Sequence, residues 1–246
     1  MIGVFDSGSG GLSVLVAIKK VAPELDIVYF GDLTNMPYGA KSPQELFDLT
    51  LRGFKILRAA GATQLVSACN SISASVIRPL MPDEGIIEMV GPAVRELLAR
   101  QVKRVAIVAT PATVESGIYD SACAAVGIQA TMIACPKLAF AIEYDNAEII
   151  REEVFAACEK IKAARADAIL LGCTHYPFAR GIFTEFLPTN FEIIDPAFAV
   201  AAEVIAKCGS EGSGKLKIIT SKESDNFGSR IENLFGTKPM LLGQNP

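Results

Sequence analysis

Short apolar runs alternate along the chain with longer segments whose apolar residues recur at helical spacing. The strand-like runs are Ile2 to Phe5, Ile27 to Phe30, Leu65 to Ala68, Val105 to Ala109, Thr131 to Ala134, Ile169 to Leu171, Phe191 to Ile194 and Leu216 to Thr220. Helical patterns fall between them at Gly11 to Val21, Pro43 to Ala60, Pro92 to Arg100, Thr113 to Ala125, Ala147 to Ala164 and Ala197 to Lys207. This order predicts an α/β fold with doubly wound, mostly parallel sheets and helices on both faces. The strand runs are apolar throughout, as expected when both faces are covered.

The pattern also repeats. A shift of 104 residues, the separation of Cys69 and Cys173, lays Val66–Ser71 on Leu170–His175. Without a gap, the same shift lays Ile2–Phe5 on Ala106–Ala109, Tyr29–Phe30 on Ile133–Ala134, and Gly39 on Glu143. Identity is low, but three strand ends agree in one register. Two similar α/β lobes arising by duplication are therefore expected. The first would span 1–91 together with 196–246, and the second 92–195. The run Gly209 to Gly214 reads as a flexible surface connection.

Composition removes several classes of function. Half of the 246 residues are hydrophobic and a fifth are charged, which suits a globular protein. The net charge of −4 gives no footprint for nucleic acid. No apolar stretch reaches the roughly 18 to 20 residues of a membrane span. The opening Met1–Asp6 lacks a basic region with an apolar run behind it, so no export signal and a cytoplasmic location are expected. Six cysteines (Cys69, Cys123, Cys135, Cys158, Cys173 and Cys208) form no Cys-x-x-Cys pair, and His175 is the only histidine. That donor set does not suggest a metal site, and reduced thiols are expected. Cys123, Cys135, Cys158 and Cys208 read as structural.

Ligands of open parallel sheets bind beyond the carboxyl ends of the strands. In the first lobe those ends carry Asp6-Ser7-Gly8, Pro37-Tyr38-Gly39 and Cys69-Asn70-Ser71; in the second, Thr110 with Thr113, Glu143, and Cys173-Thr174-His175. The loop Gly8-Ser9-Gly10-Gly11 has Ser13 where the dinucleotide fingerprint needs its third glycine. It reads as a tight strand-to-helix turn whose amides can hold a carboxylate. The two strand-end thiols are expected to face each other across the cleft. Two opposed acid/base groups can take an α-proton from one face of a carbon and return one to the other. His175 would assist Cys173, while Asp6 and Glu143, both expected at strand ends, would tune charge. Ser7, Asn70, Ser71, Thr113 and Thr174 would grip carboxylates and amine.

These residues resemble the glutamate racemases of the aspartate/glutamate racemase superfamily. The matching segments are Gly3–Gly8 with Gly10–Leu12, Tyr29–Asp32, Pro37–Gly39, Ala68–Asn70, Ala109–Thr110 with Thr113, Cys135–Pro136 with Glu143, and Leu171–Pro177. The resemblance implies a two-domain α/β fold, no pyridoxal phosphate or other cofactor, and interconversion of L- and D-glutamate for peptidoglycan synthesis. It implies Cys69 as the base for the D-isomer and Cys173 for the L-isomer. Asp6 and His175 would be their assistants, with Glu143 orienting His175. Asp6, Ser7, Tyr38, Gly39, Asn70, Ser71, Thr174 and His175 would contact substrate.

The sequence departs from the family at Ser71, where threonine is usual, and at Thr34-Asn35-Met36. Aspartate or a related acid is therefore an alternative substrate. A two-lobed binding protein without catalysis is an alternative of a different class, although a binder has no need of paired thiols. A homodimer is the commonest assembly for such a chain.

Overall fold

The computed structural model describes residues 1–75 and 85–243. The expected spans 1–91 and 196–246 thus include 76–84 and 244–246, which lie outside the described residues. Nine strands form two sheets among the described residues: β1 (Ile2–Asp6), β2 (Ile27–Gly31), β3 (Gln64–Ser67), β4 (Arg104–Ala109), β5 (Gln129–Ala134), β6 (Ala168–Gly172), β7 (Glu192–Ile194), β8 (Leu216–Thr220) and β9 (Met240–Leu241). The first sheet runs β3-β1-β2-β8-β9 and the second β5-β4-β6-β7. All pairings are parallel.

The strands are apolar on both sides because each sheet separates two cores. Along β1 and β2, Val4, Ile27 and Tyr29 enter one core, while Phe5, Val28 and Phe30 enter the other. Along β4 and β6, Ala106, Val108, Ile169 and Leu171 face one core, and Val105, Ile107, Ala168 and Leu170 the opposite one. Alternate residues of a strand point to opposite faces, so only a fully apolar strand satisfies both layers. Helices α1 (Leu12–Val21), α2 (Pro43–Ala59), α4 (Val90–Ala99), α8 (Ala147–Ala163) and α10 (Ala197–Cys208) supply covering layers. The start of α2 is fixed by a Ser42/Glu45 capping box with Pro43 in the first turn.

The internal repeat is present in the topology. The central strand β1 pairs with β2 and β3, and the central strand β4 pairs with β5 and β6. The 104-residue shift lays each strand of the first trio on its counterpart. An isolated parallel bridge from Val66 to Ile87 extends the first sheet beyond β3, as β7 extends the second beyond β6. The lobes differ in what is added: β8 and β9 continue the first sheet beside β2.

Several elements depart from the sequence reading. The helix expected over Thr113–Ala125 is two, α5 (Pro111–Glu115) and α6 (Ile118–Ala124), because Gly117 takes φ 63° between them. Helices α7 (Leu138–Glu143), α9 (Arg180–Phe186) and α11 (Asp225–Phe235) were not expected. The Gly209–Gly214 connection is pinned rather than loose, since the Asp26 carboxylate accepts from Ser213 N, Ser213 Oγ and Lys215 N. Helix α3 (Asn70–Ser75) starts directly after Cys69, and a short 3-10 turn covers Tyr38–Ala40.

Candidate active site

A small cavity lies where the carboxyl ends of the two sheets meet. Its wall includes Ser7, Pro37, Tyr38, Gly39, Cys69, Asn70 and Ser71 from the first lobe, and Thr110, Cys173, Thr174 and His175 from the second. Met36, Ala40, Pro111, Pro136, Ala139 and Phe140 complete it. The cavity volume is about 40 Å³. The lobes therefore stand nearly closed on each other.

Bonds across the cleft hold that closure. Thr174 Oγ1 donates to Asp6 Oδ1 at 3.2 Å, and Ser13 Oγ to the Thr174 carbonyl at 3.2 Å. Ser71 and Thr110 share a hydroxyl pair at 2.9 Å. Tyr119 OH, on α6 of the second lobe, donates to Asn70 Oδ1 at 2.6 Å. That bond fixes which end of the Asn70 amide is free. Its Nδ2 is buried and has no partner among the described residues. A buried unpaired donor on a cavity wall is costly unless a ligand accepts from it.

Cys69 is buried and lies 3.9 Å from Ser7 Oγ. Burial, then the nearby Asp6 charge, pushes its thiol up to about 12. Cys173 Sγ lies 3.9 Å from His175 Nδ1, and the other ring nitrogen, Nε2, lies 2.8 Å from Glu143 Oε2. Burial presses the His175 ring toward neutrality, but its contacts with Cys173 and Glu143 outweigh this and raise it to about 10. Burial likewise opposes the Glu143 anion, yet the bond from His175 and two from Ser9 bring it down to about 2. The pair is thus an imidazolium and a carboxylate sealed inside the protein.

Not every expected residue stands where the sequence put it. Glu143 is not at a strand end; it is the last residue of the six-residue helix α7, which follows β5. Asp6 and Thr113, expected among the substrate-contacting groups, stand one layer behind the wall. Asp6 is fully buried and accepts from the Gly8 amide at 2.8 Å; burial, countered by the His175 charge, raises its carboxyl. Thr113 is also fully buried and pairs with Thr110 Oγ1 at 3.1 Å, so Thr110 is the hydroxyl that reaches the cavity. The amides of the glycine loop do hold a carboxylate, that of Glu143, through Ser9 N at 3.1 Å.

Sequence reasoning missed Ser9, Tyr119 and Arg230. Tyr119 gave no signal, being one apolar residue on a helix. Arg230 lies on α11, whose signal was visible: Ser224 caps a segment with Phe227, Ile231 and Phe235 at helical spacing. All six cysteines are free thiols. Among the described residues, no group of three or more His, Cys, Asp or Glu is placed to hold a metal ion, and no helix is long and apolar enough to cross a membrane.

Fold and site together define an α/β enzyme whose titratable groups converge from two related lobes onto one small cavity. A model of the Asp/Glu/Hydantoin racemase family matches residues 4–204, and the chain belongs to that family. It is a racemase, an enzyme of the isomerase class. It is 34% identical over 242 residues to a glutamate racemase of Aquifex aeolicus, covering 96% of this chain and 94% of that protein. The solved glutamate racemase of Aquifex pyrophilus superposes with a TM-score of 0.84 at 31% identity, over 98% of this chain and 97% of that one. A glutamate racemase isoform of Bacillus anthracis gives a TM-score of 0.89 at 25% identity, over 100% and 97%.

Proposed function

We propose that the protein interconverts L- and D-glutamate with two thiols and no cofactor, in the cytoplasm, supplying D-glutamate for peptidoglycan. The observation that carries the reading is that Cys69 and Cys173, at corresponding ends of β3 and β6, line one cavity from opposite lobes. The relatives named above supply the choice of substrate.

In the direction from L to D, the Cys173 thiolate takes the α-proton and becomes a thiol. The electron pair left on Cα is shared with the α-carboxylate. The Cys69 thiol then gives its proton to the opposite face and becomes a thiolate. The reverse direction exchanges the roles; before another turnover in the same direction Cys173 releases its proton to solvent and Cys69 takes one up, so atoms and charge balance over the cycle. The His175 imidazolium is the counter-charge when Cys173 is negative, and Glu143 fixes its ring. Asn70 Nδ2 and the Ser71–Thr110 hydroxyl pair offer donors to the substrate carboxylates, and Thr174, whose hydroxyl donates to Asp6, lines the cavity beside them. Asp6 acts from behind Cys69 through its charge.

Incubation with L-glutamate in deuterated water, without added cofactor, should place deuterium at Cα and generate the D-isomer. Cys69→Ser and Cys173→Ser should each lower racemisation by about 10³-fold, within the range of general acid–base groups. Absence of exchange with glutamate would defeat the substrate assignment. Absence with aspartate and related acids too would defeat the two-thiol reading.

A further inference from the structure

We propose that Arg230, on the C-terminal helix α11, is a positioning residue that sets the Glu143–His175 pair against Cys173, acting through Ser9. Its guanidinium crosses from the first lobe and binds three partners. It donates to Ser9 Oγ at 2.5 Å, to the Ile142 carbonyl at the end of α7, and to Asp145 at 2.7 Å. It also lies over the Phe178 ring, 5.3 Å from the centroid. One turn earlier on α11, Asn226 Nδ2 donates to the Glu143 carbonyl at 3.4 Å. The end of α7 that carries Glu143 is thus clamped from the opposite lobe.

The clamp also fixes the direction of the protons from Ser9 to His175. A guanidinium only donates. Ser9 Oγ therefore accepts from Arg230, and its own proton goes to Glu143 Oε2 at 2.6 Å. That oxygen takes a second bond from Ser9 N and a third from His175 Nε2. With Nε2–H committed to Glu143, Nδ1 is the nitrogen left for Cys173. Among the described residues Cys69 has no comparable hydrogen-bond chain from α11; its neighbours include Ser7 and Asp6. A defect in the clamp should therefore weigh more on Cys173, which the pair touches directly, than on Cys69, which it reaches only through charge on Asp6.

The inference rests on the two-thiol reading, and its test exploits that asymmetry. The equilibrium constant between enantiomers is fixed, so any variant lowers kcat/KM equally in both directions. The substrate isotope effect need not change equally. Arg230→Met keeps a chain over Phe178 but loses the donors. It should lower kcat/KM about tenfold, less than the roughly 10²-fold that a 1 Å misplacement can cost. The isotope effect on kcat/KM with α-deuterated L-glutamate, which reports transfer to Cys173, should rise. That with the α-deuterated D-isomer should fall toward unity. Ser9→Ala should shift both isotope effects the same way, and Arg230→Lys should recover part of the loss.

The two variants also keep the test open if Arg230→Met fails to fold. Equal changes of the isotope effects in both directions, or unchanged kinetics in Arg230→Met and Ser9→Ala, would overturn the role of Arg230. Loss of that role leaves wild-type exchange intact. Failure of the two-thiol reading would instead show as wild-type protein that exchanges no α-proton.

Discussion

Cys69 is a buried thiol beside a carboxyl group, and Cys173 is a buried thiol beside an imidazole ring. The same strand-end position thus serves two different electrostatic settings. Burial, followed by Asp6, holds the Cys69 proton on. Asp6→Asn should therefore lower the pH midpoint of Cys69 alkylation, followed residue by residue by mass spectrometry. An unmoved midpoint would assign the whole effect to burial. The departure at Ser71 also takes on a structural meaning. Its hydroxyl is engaged with Thr110 across the cleft, so the missing methyl leaves that link in place.

At the scale of elements, the β1–α1 loop matters most. Gly8, Gly10 and Gly11 all have ordinary negative φ, so the turn itself does not demand glycine. What demands it at position 10 is the other lobe. A Cβ there would fall 2.6 Å from Thr174 Oγ1 and 2.7 Å from His175 Cε1. Gly10→Ala should thus push the lobes apart locally and cut kcat/KM by about 10²-fold while the melting temperature changes little. A large drop in melting temperature with activity per folded molecule retained would argue against this.

Strands were legible in the sequence because doubly covered strands must be apolar, and α2 because its start carries a capping box and proline. Glu143 was placed in the wrong element. It follows an apolar run, Leu138 to Ile142, too short to show a helical period, and the repeat aligned it with Gly39. Helix α5–α6 read as one because Gly117 breaks it only through a left-handed φ. The thiols and their flanking polar residues were legible as strand ends. Partners that meet them only in space, Tyr119 and Arg230, were not.

For the molecule as a whole, the buried Glu143–His175 pair links folding stability to pH. Glu143 is lowered from an ordinary 4.5 to about 2, so it contributes stability that is full above 4.5 and lost as pH falls toward 2. His175 is raised from 6.5 to about 10, so its contribution is full below 6.5 and lost as pH rises toward 10. Glu143→Gln should therefore be most destabilising between these limits, near pH 5 to 6. The gap from wild type should narrow on either side, as read by urea unfolding at each pH. A gap independent of pH would mean that the pair contributes by packing alone.

The way β8 completes the first sheet has one more consequence, which concerns time. Every strand of the second sheet lies between Arg104 and Ile194, whereas β8, from Leu216, must find β2, from Ile27. A chain leaving the ribosome from its N-terminus exposes all four strands of the second sheet before β8 emerges. The first sheet begins earlier but finishes later, and α11, which grips the end of α7, emerges between its last two strands, β8 and β9. The site thus stays incomplete until α11 has emerged, and a chain synthesised only a little past Cys173 carries both thiols without the helix that clamps the end of α7.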